Sequence, residues 1–152
     1  MAGQQEPGVD RILAALMEEL AKQEAALYSA TVLAEARQPK NVGAMLEPDG
    51  HALLHGACGD RMEIFLRLDG QRIQMATFMT DGCGPTLACG SKLTTMVQGK
   101  TTEEAAAIRA VDLVAALDGL PQEHVHCASL AVNTLRLAIL SHEGQDEPVR
   151  LE

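Results

Sequence analysis

Across residues 10–37 the apolar positions Leu13, Leu16, Met17, Leu20 and Leu27 recur at helical spacing, with Glu and Lys between them. The pattern predicts one long amphipathic helix, ended by Pro39, with PKNVG as the turn behind it. Residues 60–80 change period. Met62, Ile64, Leu66 and Leu68 alternate with Glu63, Phe65, Arg67 and Asp69, which is a strand pattern. Asp69-Gly70 is a strong two-residue hairpin signal, and the return strand runs from Arg72 to Thr80. Residues 52–57 add a shorter strand ahead of the hairpin, after a loop at EPDGH (47–51).

From Pro85 the chain turns helical, with Pro suited to the first position and Gly99 just past the end. Thr101 and Glu104 form a capping box that opens a short helix. Residues 112–118 make another, stopped by Gly119 and Pro121, and a last helix covers 125–141. The expected fold is therefore α+β: a small three-stranded antiparallel sheet with helices packed on one face, and an N-terminal helix preceding the sheet.

Composition narrows the chemistry. The chain has 152 residues, 47% hydrophobic, enough for one domain with a single core. Tyr28, Phe65 and Phe78 are the only aromatics, so that core is built from aliphatic side chains and Met. A net charge of −9 without any run of Lys or Arg argues against nucleic acid and against anionic membrane surfaces. No apolar run approaches the ~20 residues that span a bilayer, and MAGQQEPGVDR lacks a signal-peptide layout. A cytoplasmic location is expected, where the four cysteines stay reduced and point to metal or redox chemistry.

Three thiol positions sit at element edges. Cys58 and Asp60 lie in GACGD, where the first strand gives way to the hairpin; Cys83 lies in DGCGP; Cys127 lies in HVHCASL beside His126. Strand ends and helix starts can meet at one end of such a sheet. Three thiolates, an imidazole and a carboxylate would then converge on one metal centre. Helix N-termini favour the thiolate, which suits Cys83 and Cys127. Glycines 56, 59, 82 and 84 would let the backbone approach a bulky inorganic centre. Thiolates and imidazole suit Zn²⁺ or iron, whereas Asp60 is a harder donor to a soft site. The long gaps between cysteines match neither a zinc finger nor a ferredoxin run.

Taken singly, Cys58 reads as a packing thiol, Asp60 as a turn residue and His126 as an ordinary histidine; the conjunction carries the metal reading. Cys89 falls inside a helix among small and apolar residues and reads as packing. His51, His55 and His124 read as solvent-facing. The Leu and Met stripe of 10–37 is core or interface surface, and a homodimer is one arrangement it would serve.

The quoted motifs resemble the IscU/NifU-type iron–sulfur cluster assembly scaffolds from about Tyr28 to Leu140. YSATVLAEARQPKNVG is similar to the family's first helix and turn. ACGD, then DGCG with GKT at 99–101, then LPQEHVHCASLA follow in order. The resemblance implies a scaffold domain at 28–142, with 1–27 as an N-terminal helical extension and 143–152 as a flexible tail. It implies a carrier rather than an enzyme, on which a transient [2Fe–2S] cluster forms from iron and desulfurase-derived sulfur. The implied partners are a cysteine desulfurase, a ferredoxin-type reductant and apo iron–sulfur proteins. The implied ligands are Cys58, Asp60, Cys83, His126 and Cys127, with Cys127 as persulfide acceptor and Zn²⁺ at the site in the resting protein.

Three departures stand out. The family's leucine-proline-proline-valine-lysine chaperone motif reads Leu120-Pro121-Gln122-Glu123-His124, which argues against a dedicated heat-shock chaperone. The first helix starts early, so residues 1–27 would serve an interface of their own. Cys89 stands where many relatives carry serine. SufU-type zinc-dependent sulfurtransfer acceptors are the alternative likeness, but they lack the histidine beside the third cysteine. A structural-zinc or adaptor domain is the third reading.

Overall fold

The computed structural model describes residues 7–82, 84–143 and 151–152. The chain runs α1 (Pro7–Leu27), α2 (Ala30–Arg37), β1 (Gly50–His55), β2 (Arg61–Asp69), β3 (Arg72–Thr80), α3 (Gly84–Val97), α4 (Thr102–Ala106), α5 (Ala110–Ala116), a 3-10 turn (Gln122–His124) and α6 (Val125–Glu143). Among the described residues no helix is long and apolar enough to cross a membrane.

Alternation in the hairpin decides which face is covered. Met62, Ile64 and Leu66 on β2 point to one side, and the register sets Ile64 opposite Phe78 and Leu66 opposite Ala76. All five are fully buried. The strands form an antiparallel sheet in the order β1-β2-β3. Helix α6 lies across β1 and β2, and α3 across β3, so Leu135, Ala131 and Leu93 close the core over that face. The shorter α4 and α5 pack behind α6, with Ala105, Leu113 and Leu117 fully buried. The capping box at Thr101 and Glu104 is present, each reaching the other's backbone N–H.

The expected helix over 10–37 is two helices. Apolar spacing continues through residues 28–29, but Ser29 takes an extended backbone (φ −63°, ψ 158°) and its hydroxyl accepts from the Val32 N–H. The same hydroxyl donates to the Leu117 carbonyl at 2.6 Å. A serine that caps one helix and anchors to another element outcompetes continuation of the first helix. The stripe on α1 does not enter the core: Ile12 is 71% exposed and Met17 62%.

The PKNVG turn is pinned from beneath. The Lys40 N–H donates to the Ser91 hydroxyl at 2.8 Å, and that hydroxyl donates in turn to the buried Glu35 carboxylate. Asn41, at φ 63°, donates its side-chain amide to Thr94 and Thr95. Beyond it, Phe78 N–H donates to the Asn41 carbonyl and Gly43 N–H to the Phe78 carbonyl, both at 2.9 Å. The turn thereby covers the edge of β3, which would otherwise offer unpaired backbone.

The expected tail falls mostly on residues 144–150, which lie outside the described residues. Glu152 is docked: its carboxylate accepts from the Ala110 N–H at 2.9 Å and pairs with Arg136 at 3.1 Å.

Candidate metal centre

One end of the sheet collects the β1–β2 turn, the end of β3 and the first turns of α3 and α6. The turn is tight because Gly56 N–H donates to the Asp60 carbonyl at 2.6 Å and Gly59 N–H to the Gly56 carbonyl at 3.0 Å. Gly59 stands at φ +85°, a region that L side chains rarely adopt. Cys58 is exposed on this turn. Asp60 points back into the protein. The β2 and β3 ends are tied together, since Arg61 N–H donates to Asp81 at 2.7 Å and the Thr80 hydroxyl donates to the Arg61 carbonyl at 2.5 Å.

Three of the expected residues are linked here. Thr86 Oγ1 donates to Asp60 Oδ2 at 2.8 Å and lies 3.4 Å from Cys127 Sγ. His126 Nε2 is 3.7 Å from the same sulfur. Cys127 occupies the first turn of α6 and is 2% exposed; the helix dipole there favours negative charge. His124, beside His126, bonds through its ring to the Tyr28 hydroxyl at 3.2 Å. His51 is taken up elsewhere, 2.5 Å from Glu63 and stacked on Phe65.

Cys83 lies outside the described residues. Among the described residues no group of three or more His, Cys, Asp and Glu stands close enough to hold a metal ion. Asp60, His126 and Cys127 meet through hydrogen-bond contacts, with Thr86 between the acid and the thiol. Cys89 is fully buried, as a packing residue is. Burial, and secondly the nearby Cys127, push its thiol pKa far up, so it stays protonated.

The glycine reading needs correction at position 82. What approaches that backbone is a threonine: a Cβ at Gly82 would sit 2.7 Å from Thr86 Cβ and 2.8 Å from Oγ1. At position 59 a Cβ would meet nothing within 4 Å, and the turn's positive φ is the reason for glycine. The sequence does not single out Thr86. Its only signal was a hydroxyl just after DGCGP, and threonine at a helix start is ordinary.

The carboxylate, imidazole and thiolates are a mixed hard-and-soft donor set, suited to iron or zinc rather than to calcium or magnesium. Residues 27–148 match the family model described as the NifU-like N terminal domain, and the chain belongs to that family. Similar proteins include the iron–sulfur cluster assembly scaffold protein IscU 1 of Archaeoglobus fulgidus. It is 38% identical over 117 residues, 76% of this chain and 76% of that protein. The IscU scaffold protein of Escherichia coli K12 is 34% identical over 125 residues, 79% of this chain and 97% of that protein. A solved structure from Fervidobacterium islandicum AW-1, assigned to the SUF system as a cluster assembly scaffold, superposes with a TM-score of 0.63. That match, at 20% identity over 74% of this chain and 96% of the other, shows the shared fold.

Proposed function

We propose that this protein is a scaffold on which a [2Fe–2S] cluster is built and then passed to apo iron–sulfur proteins. It acts as a carrier rather than an enzyme, and the cluster is its cargo. The observation that carries the reading is the link between Asp60 and Cys127 through one buried hydroxyl, at 2.8 and 3.4 Å. It joins the acid of ACGD to the thiol of HVHC in a chain whose relatives are named as scaffolds. The ligands proposed are Cys58, Asp60, Cys83, His126 and Cys127.

The Cys127 thiolate would attack the outer sulfur of a cysteine desulfurase persulfide. The S–S bond of the donor breaks, a persulfide forms on Cys127, and the desulfurase leaves as thiolate. No net oxidation occurs in that transfer. Each sulfane sulfur then needs two electrons to become sulfide. Oxidation of two Fe²⁺ ions supplies half of those for a two-sulfide cluster, and a ferredoxin-type reductant supplies the rest. Asp60, as a hard donor to a soft centre, is the weakly held ligand that lets the cluster leave.

The test is anaerobic reconstitution with a cysteine desulfurase, iron and cysteine, followed by iron and acid-labile sulfide assay and a visible spectrum. Near-equal iron and sulfide with charge-transfer bands are expected. Cys127→Ser abolishes them, Cys89→Ser leaves them intact, and Asp60→Ala gives a longer-lived cluster with slower transfer. Tightly held zinc without sulfide or colour would overturn the scaffold and favour a zinc-dependent sulfur acceptor.

A further inference from the structure

We propose that Thr86 is a positioning residue, a latch that fixes the Asp60 carboxylate beside Cys127 before any cargo arrives; this rests on the scaffold reading above. Two other buried helical threonines, Thr94 and Thr134, turn their hydroxyls onto their own helix. Thr94 donates to the Gly90 carbonyl at 2.7 Å and Thr134 to the Leu130 carbonyl at 2.6 Å, both four residues back. Thr86, fully buried in the first turn of α3, does otherwise. Its single proton goes to Asp60 Oδ2 at 2.8 Å, a bond strengthened by the carboxylate charge. Cys127 Sγ lies 3.4 Å from the same hydroxyl oxygen, close enough to share its proton.

The latch is braced. Gly82 backbone lies so near that a Cβ there would meet Thr86 Cβ at 2.7 Å and Cγ2 at 2.9 Å. The Thr86 side chain is thereby packed against the backbone beside DGCGP, the second thiol motif. Asp60 in turn accepts the closing backbone bond of the 56–60 turn, from Gly56 N–H at 2.6 Å. One hydroxyl thus couples α3 and α6 to the turn that carries Cys58. Valine would fill the same space and provide none of this.

Thr86→Val is the first variant. In metal-free protein, amide hydrogen exchange across 56–60 is expected to rise about 10-fold or more, with Thr86→Ser within about 3-fold of wild type. Zn²⁺ affinity, read by competition with a chromophoric chelator, is expected to fall about 10–100-fold in Thr86→Val. That loss disappears in an Asp60→Ala background, because the hydroxyl then has no carboxylate to hold. Unchanged turn exchange, or an equal zinc loss with and without Asp60, overturns the latch. If Thr86→Val does not fold, Asp60→Ala reads the same bond from its other end, and unchanged exchange there overturns it too. A wild-type chain that takes neither zinc nor cluster overturns the scaffold reading, and the exchange result still decides the latch.

Discussion

Helix α1 spans 21 residues and α6 spans 19, yet one stands in solvent and the other is the centre of the core. On α1 the stripe of Leu13, Leu16 and Leu20 is 53%, 56% and 51% exposed. On α6, Val132, Leu135 and Ala138 are buried against the sheet, and Ala128 and Ala131 are buried with them. The helix with the cleaner separation of apolar and polar residues is the uncovered one. Helix α6 is apolar over most of its circumference, as a helix wrapped by other elements should be. An amphipathic stripe therefore states which face of a helix gains from cover. It says nothing of whether this chain supplies the cover.

The comparison can be broken at its strong end first. Leu135→Ala removes a fully packed side chain from α6 and is expected to cost about 2–5 kcal/mol in urea unfolding. A cost under ~1 kcal/mol would mean that α6 is not the core element described here.

Helix α2 lies between the two extremes, and its Glu35 offers a pH test. Burial alone would raise the Glu35 pKa, but the Ser91 hydroxyl and Lys40 outweigh it and hold the carboxyl below its ordinary 4.5. A folded-state value below the unfolded one makes the unfolded chain the better proton binder. The contribution is therefore full above about 4.5 and is lost as pH falls through the lower folded value. Wild type should lose stability over that acid range. Glu35→Gln should start lower at neutral pH and lose less, so the two curves converge. Parallel curves would show that the ionised form of Glu35 is not stabilising.

The smallest effects belong to α1. Leu16→Ala is expected to change unfolding free energy by no more than ~0.5 kcal/mol. Removing residues 1–27 should leave both the thermal midpoint and cluster formation close to those of the full chain. A large loss in either would show that α1 is covered in solution, by a second copy or by the rest of the chain.

Much of the fold was legible in the sequence because local rules were enough. The β2–β3 hairpin followed from the alternation of Met62, Ile64, Leu66 and Leu68 and from Asp69-Gly70, and Gly70 does stand at φ 61°. The Thr101–Glu104 box followed from hydroxyl and carboxylate spacing alone. The break at residues 28–29 was not legible, since apolar spacing runs through it and the capping serine is held by Leu117, far along the chain. At the site, Asp60, His126 and Cys127 were legible as motif residues, and Thr86 was not. Its role exists only where α3, α6 and the 56–60 turn meet.

The sequence by itself determined the order of elements, the buried face of the hairpin and the residue types available for metal chemistry. These depend on side-chain period, turn propensity and donor softness, all of which act over a few residues. The tertiary structure alone decided that one long helical pattern divides in two, that α1 stays uncovered while α6 is enclosed, and that a threonine stands between the aspartate and the thiol. Those outcomes depend on contacts between segments distant in the chain, where packing and hydrogen-bond partners are set by the whole fold.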